Sequence, residues 1–238
     1  ELNLVTACGT INTDVNTWET GPKVAAAGNG NFMAVWSRES NPVRGQLFSS
    51  ACEKLGPEFD LGRGSPNVTA DENGDFWIAL ATSTGIALSK YANDGEPLMA
   101  LTPVYGNSFP AGLSVTALSD GGLFATWYTA QDVSGSDVLG LFIDEEGNAL
   151  GEPIIVNTFR EGNQSRPRHA SLANGSLIVV WDSLGQDGEL FGVHARLLNK
   201  DGPIGSELRV NEDVTGSHRE PSVFARSDGS FVVSWTQS

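Results

Sequence analysis

A fifteen-residue segment recurs five times in approximate form, and an internal repeat constrains the architecture before any local propensity does. Its clearest copies run from Pro167 to Trp181 and from Pro221 to Trp235. Pro22 to Trp36 keeps the same spacing, Leu113 to Trp127 has its proline displaced to Pro110, and Pro66 to Leu80 lacks the final Trp. Within a copy, a polar stretch leads to an Asn-Gly or Asp-Gly turn and then to an apolar run such as Leu177 to Trp181. A short run that is apolar throughout reads as a strand buried on both faces.

The fourth copy sets out the unit. Pro167 is expected to open a first strand, where its missing N–H removes no ladder bond. That strand runs from Arg168 to Ala173, and Ser176 to Trp181 forms the second. After the loop Asp182 to Glu189, Leu190 to Leu198 makes a third strand and Glu207 to Asn211 a fourth. This is the four-stranded antiparallel meander of a propeller blade. The fold class expected is all-β, a five-bladed β-propeller forming one domain over 1–238. The blades fall at about 22–61, 66–105, 110–157 and 167–211, with a fifth built from 221–238 plus 1–13. In that last blade Glu1 to Thr6 and Thr10 to Thr13 would supply the strands missing after Ser238, because Asn12 precedes Pro22 as Asn157 precedes Pro167 and Asn211 precedes Pro221. Such closure leaves no open sheet edge. Trp36, Trp127, Trp181 and Trp235 are expected to fill the gaps between blades.

Composition agrees with many short strands joined by turns: 28 Gly and 11 Pro in 238 residues, with no amphipathic helical stretch. The formal charge of −15 argues against nucleic acid and anionic membrane as partners, since both require a dense basic footprint. The longest apolar run is far too short to span a bilayer.

The consensus is carried by Val156-Asn157-Thr158, Trp181 to Gly188, Gly192 to Arg196, Asp201 to Glu207 and Asp228 to Trp235. It resembles the tandem repeats of large secreted and surface proteins of bacteria. The resemblance implies an extracellular β-propeller, secreted or at the cell surface, often near adhesive or calcium-binding modules, and it brings no uniform activity with it.

Strand order sorts the charges. Acids including Asp71, Asp94, Asp120, Asp144 and Asp201 fall on the hairpin side of the blades, whereas cations concentrate where the innermost strands begin. Small ligands of propellers are expected at that second end, in the axial funnel. The candidate ligand-binding residues are Lys23, Asn67, Arg166, Arg168, His169, His218 and Arg219. They suit a glycan or a protein ligand, and the leading expectation is a lectin-like binding module that is not an enzyme. Two alternatives stand beside it: a glycoside hydrolase using loop carboxylates such as Asp14, Glu19 or Glu220 over the funnel, and a structural spacer.

No catalytic motif and no phosphate loop occurs, and no catalytic residue is assigned. No cofactor is expected. Asp182, Asp187 and Glu189 offer oxygens that would suit Ca²⁺ but follow no EF-hand spacing, while His169, His194 and His218 are not spaced as a zinc set. Cys8 and Cys52 fall in equivalent turns of neighbouring blades, so a disulfide would fasten the closure if their Cα atoms come within about 7 Å; otherwise they are separate thiols.

Overall fold

The computed structural model describes residues 9–13, 18–38, 41–106, 109–132 and 135–238. Among these residues there is no helix, and the chain divides into two compact units, Glu1–Asn107 and Ser108–Ser238. The first unit holds two four-stranded antiparallel meanders. One is β1 (Glu19–Ala26), β2 (Phe32–Arg38), β3 (Asn41–Phe48) and β4 (Lys54–Asp60). The other is β5 (Ser65–Ala70), β6 (Phe76–Thr82), β7 (Gly85–Tyr91) and β8 (Pro97–Gly106).

The second unit repeats the plan. β9 (Ala111–Ala117), β10 (Leu123–Asp132), β11 (Gly135–Ile143) and the two-residue β12 (Ile154–Ile155) form one sheet. β13 (Gly162–Ser171), β14 (Leu177–Leu184), β15 (Phe191–Asn199) and β16 (Gly202–Arg209) form the next, joined to its neighbour by a two-residue parallel contact between β11 and β13. β17 (His218–Ala225) pairs with β18 (Phe231–Gln237).

The apolar runs are strands buried on both faces, and β14 shows how. Leu177, Val179 and Trp181 pack into a core with Phe124, Phe142 and Val156 of the preceding sheet. The alternate residues Ile178 and Val180 pack the other way, with Ala195, Val223, Phe231 and Val233. Since successive side chains of a strand point to opposite faces, one run of large apolar residues serves two sheet-to-sheet contacts. In the first unit, Met33, Val35, Leu47, Phe76, Ile78 and Leu80 form the corresponding core.

Proline does not open these strands. β13 starts at Gly162 and β17 at His218, so Pro167 and Pro221 lie inside them, at a β-bulge. Arg166 and Pro167 together face the single residue Trp181, and Glu220 and Pro221 face Trp235. The same two-against-one arrangement sets Gly21 and Pro22 against Trp36, and Gly112 and Leu113 against Trp127. A bulge leaves one residue of the strand unpaired, so a proline there removes no ladder bond. In the second copy the Trp is replaced, Pro66 pairs directly with Leu80, and no bulge forms. Bulge and indole therefore occur together.

Trp36, Trp127 and Trp181 are buried, whereas Trp235 keeps 37% of its surface exposed. The spaced asparagines close the outer strands: Asn157 accepts the amide of Val138 (2.7 Å) and Asn211 that of Val193 (2.8 Å). Each satisfies a backbone group at a ladder end that would otherwise be buried without a partner. At the N-terminus, Thr10 to Thr13 carry no strand pairing among the described residues, and Ile11 packs against Ala34, Trp36 and Phe48. Glu1 to Thr6 and Cys8, on which the expected closure and disulfide depend, lie outside the described residues.

Candidate functional site

The bulges shape a cavity of the second unit. Its volume is about 500 Å³, and Gly112, Tyr128, Arg166, Arg168, Glu220, Pro221 and Ser222 line it. Gly112, Arg166 and Glu220 are the leading residues of three bulges, with φ of 64°, 51° and 57°. Glycine adopts this left-handed conformation freely, but an arginine or a glutamate is strained there. At Gly112 the missing side chain also makes room, since a Cβ would stand 2.8 Å from the Tyr128 ring. Glycine satisfies the backbone at two equivalent positions, Gly21 and Gly112, so the long polar side chains at 166 and 220 are not required by the turn.

Beneath the cavity, Asp182 holds the two strained residues in place. Its side chain is fully buried. Oδ1 accepts the backbone amide of Glu220 at 3.0 Å, and Oδ2 accepts Nη1 of Arg166 at 2.9 Å. Nε of Arg219 lies 3.8 Å from the same oxygen, and its guanidinium lies over the Phe191 ring at 4.0 Å. Burial pushes Asp182 above the usual carboxylate range, against the downward pull of Arg166, the Glu220 amide and Arg219. The Glu220 side chain is left exposed at the cavity, with its backbone fixed from below.

Of the residues expected to bind a ligand, Arg166 and Arg168 meet in this cavity. His169, the next residue on β13, points the other way. Its Nδ1 lies 2.9 Å from Oγ1 of Thr126, and its ring packs edge-on against Phe124. Burial, with help from the Arg168 charge, pushes its pKa down to about 3, so the ring is neutral. His218 is buried against Trp235, and Arg219 serves Asp182 and Phe191. Lys23 and Asn67 belong to the first unit, exposed on β1 and half-buried on β5 respectively.

Tyr128, which follows Trp127 directly in the third copy, lines the cavity although the repeat marks only the indole beside it. Ser222, just past the bulge of β17, also lines the cavity. Among the loop acids, Glu220 reaches the cavity and Glu19 lies 3.7 Å from Arg38, whereas Asp14 lies outside the described residues. Asp182, Asp187 and Glu189 do not converge: no group of three acid, histidine or cysteine side chains able to hold a metal occurs among the described residues. Cys52 stands in the turn between β3 and β4 with φ 64°.

No protein-family model matches the chain, and no curated protein matches it. Solved structures do. An α-L-arabinanase from Penicillium chrysogenum, complexed with arabinobiose, aligns over 90% of this chain and 74% of its own at 16% identity, with a TM-score of 0.62. An α-L-arabinofuranosidase from Fusarium graminearum, bound to an iminosugar inhibitor, aligns over 90% and 73% at 13% identity and 0.60. An endo-arabinase from Bacteroides thetaiotaomicron aligns over 90% and 87% at 13% identity and 0.53. These likenesses establish the fold class, a five-bladed β-propeller of four-stranded antiparallel sheets. They also correct the leading functional expectation. The three named structures are of an arabinanase, an arabinofuranosidase and an endo-arabinase, which favours the hydrolase alternative over a binding module without activity.

Proposed function

We propose that this chain is a glycoside hydrolase whose substrate enters the cavity lined by Tyr128, Arg166, Arg168, Glu220 and Ser222. The observation that carries the reading is Glu220. An exposed carboxylate stands on strained backbone at a cavity, and a buried aspartate holds its amide. Strain of this kind persists where the surroundings over-determine it, as they do at functional sites.

Hydrolysis of a glycosidic bond requires a carboxyl group that exchanges a proton with the leaving oxygen while water, or a second carboxylate, reaches the anomeric carbon. Glu220 is assigned the proton exchange. Asp182 is fully buried and ion-paired, so its part is to fix the Glu220 backbone and to orient Arg166. Arg166, Arg168 and Ser222 supply donors to sugar oxygens, and the Tyr128 ring offers an aromatic surface for a sugar face. Arabinan-type and related glycans are the first substrates to try, on the strength of the solved structures that share the fold.

A secreted or surface setting, as the repeat consensus implies, fits this reading and would favour a disulfide between Cys8 and Cys52. The test is turnover. Wild-type protein is expected to release reducing ends from at least one member of a plant and bacterial glycan panel. Glu220→Gln is expected to lower that rate by roughly a hundredfold or more, the usual range for a lost general acid or base. A Glu220→Gln variant as active as the wild type would overturn the assignment.

A further inference from the structure

The charges around the cavity are unequally neutralised. Arg166 is paired with buried Asp182. Arg168, just past the bulge on the same strand, donates Nη1 to the carbonyl oxygen of Pro167 at 2.8 Å and makes no ion pair among the described residues. The Glu220 carboxylate likewise meets no cation there within ion-pair distance.

In a chain of net charge −15, acids greatly outnumber bases, and eight of the fourteen Lys and Arg side chains form an ion pair among the described residues. Of the two arginines that line this cavity, Arg168 is the one without a counter-charge. Its guanidinium carries five donors in a planar fork matched to a carboxylate. One is committed to Pro167, which fixes the head, and the others remain for a ligand. Around the cavity Arg166, Arg168 and Arg219 stand against two acids, Asp182 and Glu220; Asp182 takes Arg166 and Arg219, so one positive charge is left over and Arg168 is the cation without an ion pair.

We infer that the glycan taken by this cavity bears a carboxylate, as a hexuronic acid does, and that Arg168 is its anchor, with Arg166 as a second donor. The inference rests on the glycoside hydrolase reading. It narrows the substrate from glycans in general to acidic ones, and it assigns Arg168 to specificity while Glu220 remains the chemical group. A carboxylate on the sugar would sit beside a preformed partner, whereas a neutral sugar would leave the Arg168 charge unanswered in a half-enclosed site.

The test uses matched probes: aryl glycosides of hexuronic acids in both anomeric configurations, the corresponding neutral hexosides and pentosides, and an oligogalacturonate with its methyl ester. The acidic member of a pair is expected to have the higher kcat/KM by roughly tenfold to a hundredfold. Arg168→Gln is expected to erase that preference by raising KM for the acidic substrates far more than for their neutral counterparts, with the melting temperature unchanged. Arg168→Lys is expected to restore part of it.

Equal rates on neutral and acidic members, or a preference that survives Arg168→Gln, would overturn the inference. If no glycoside is cleaved, calorimetry separates the two readings. Arg168-dependent binding of the oligogalacturonate, with none of its methyl ester, sustains the acidic-sugar site and removes the hydrolase. Absence of binding to both removes the acidic-sugar site as well.

Discussion

Glu220 and Gly112 occupy the same bulge position in their strands with nearly the same φ, 57° and 64°, although only one of them is glycine. A left-handed conformation costs an L-residue about 1–2 kcal/mol, and glycine gives back part of that in the unfolded chain. The Glu220 amide bond to Asp182 does not depend on the side chain. Glu220→Gly is therefore expected to raise the stability by about 1 kcal/mol, read as a higher melting temperature, while turnover is lost. His169 provides a second test at this scale. Its unfolded value is 6.5 and its folded value about 3, so below pH 6.5 the unfolded chain takes up a proton that the native ring refuses. The stabilisation is complete above pH 6.5 and declines toward pH 3 by about 1.4 kcal/mol per unit. Denaturant titrations across this window are expected to show a shallower decline for His169→Gln than for the wild type. Neither role was visible in the sequence. His169 stands beside Arg168 and was grouped with it as a ligand residue, yet successive side chains of a strand point to opposite faces. Only the register shift at Arg166 and Pro167 decides which of the two reaches the cavity.

The strand pairs were the most legible elements. The apolar runs ending in Trp36, Trp127 and Trp181, with an Asn-Gly, Asp-Gly or similar turn before them, became β2, β10 and β14 with their hairpin turns where expected. The bulges were not legible, because proline fits both the start of a strand and the unpaired position of a bulge. The pairing of bulge with Trp in four copies, and the absence of both in the copy with Leu80, becomes a sequence signal only once the register is known. Close approach explains another set of residues. A Cβ at Gly140 would stand 2.8 Å from the Phe124 ring, and one at Gly45 2.6 Å from Phe59. Gly140→Ala is expected to destabilise by about 1–3 kcal/mol, as overpacking of a filled core does. Gly28→Ala, with nothing within 4 Å, serves as the neutral control in the same thermal melts.

For the whole molecule, repetition made the fold class legible and did little for function. A periodic sequence records what every blade needs, namely turns, apolar strands and Trp at one position. The candidate site consists of what the repeats do not share: Glu220 and Arg166 where other copies have glycine, and Asp182 where the residue after Trp is Ser37, Tyr128 or Thr236 elsewhere. Sorting charges by sheet end grouped Arg166 with Arg168, which line the same cavity, but the acid that gives the cavity its chemistry entered that reading only as one of several loop carboxylates. The central claim is that Glu220 acts on the reacting atoms, and chemical rescue tests it most directly. With an activated aryl glycoside that the wild type cleaves, Glu220→Gly is expected to be inactive and to regain turnover when azide or formate fills the space left by the carboxylate. A Glu220→Gly protein that cleaves the same glycoside at the wild-type rate without either anion would contradict the account.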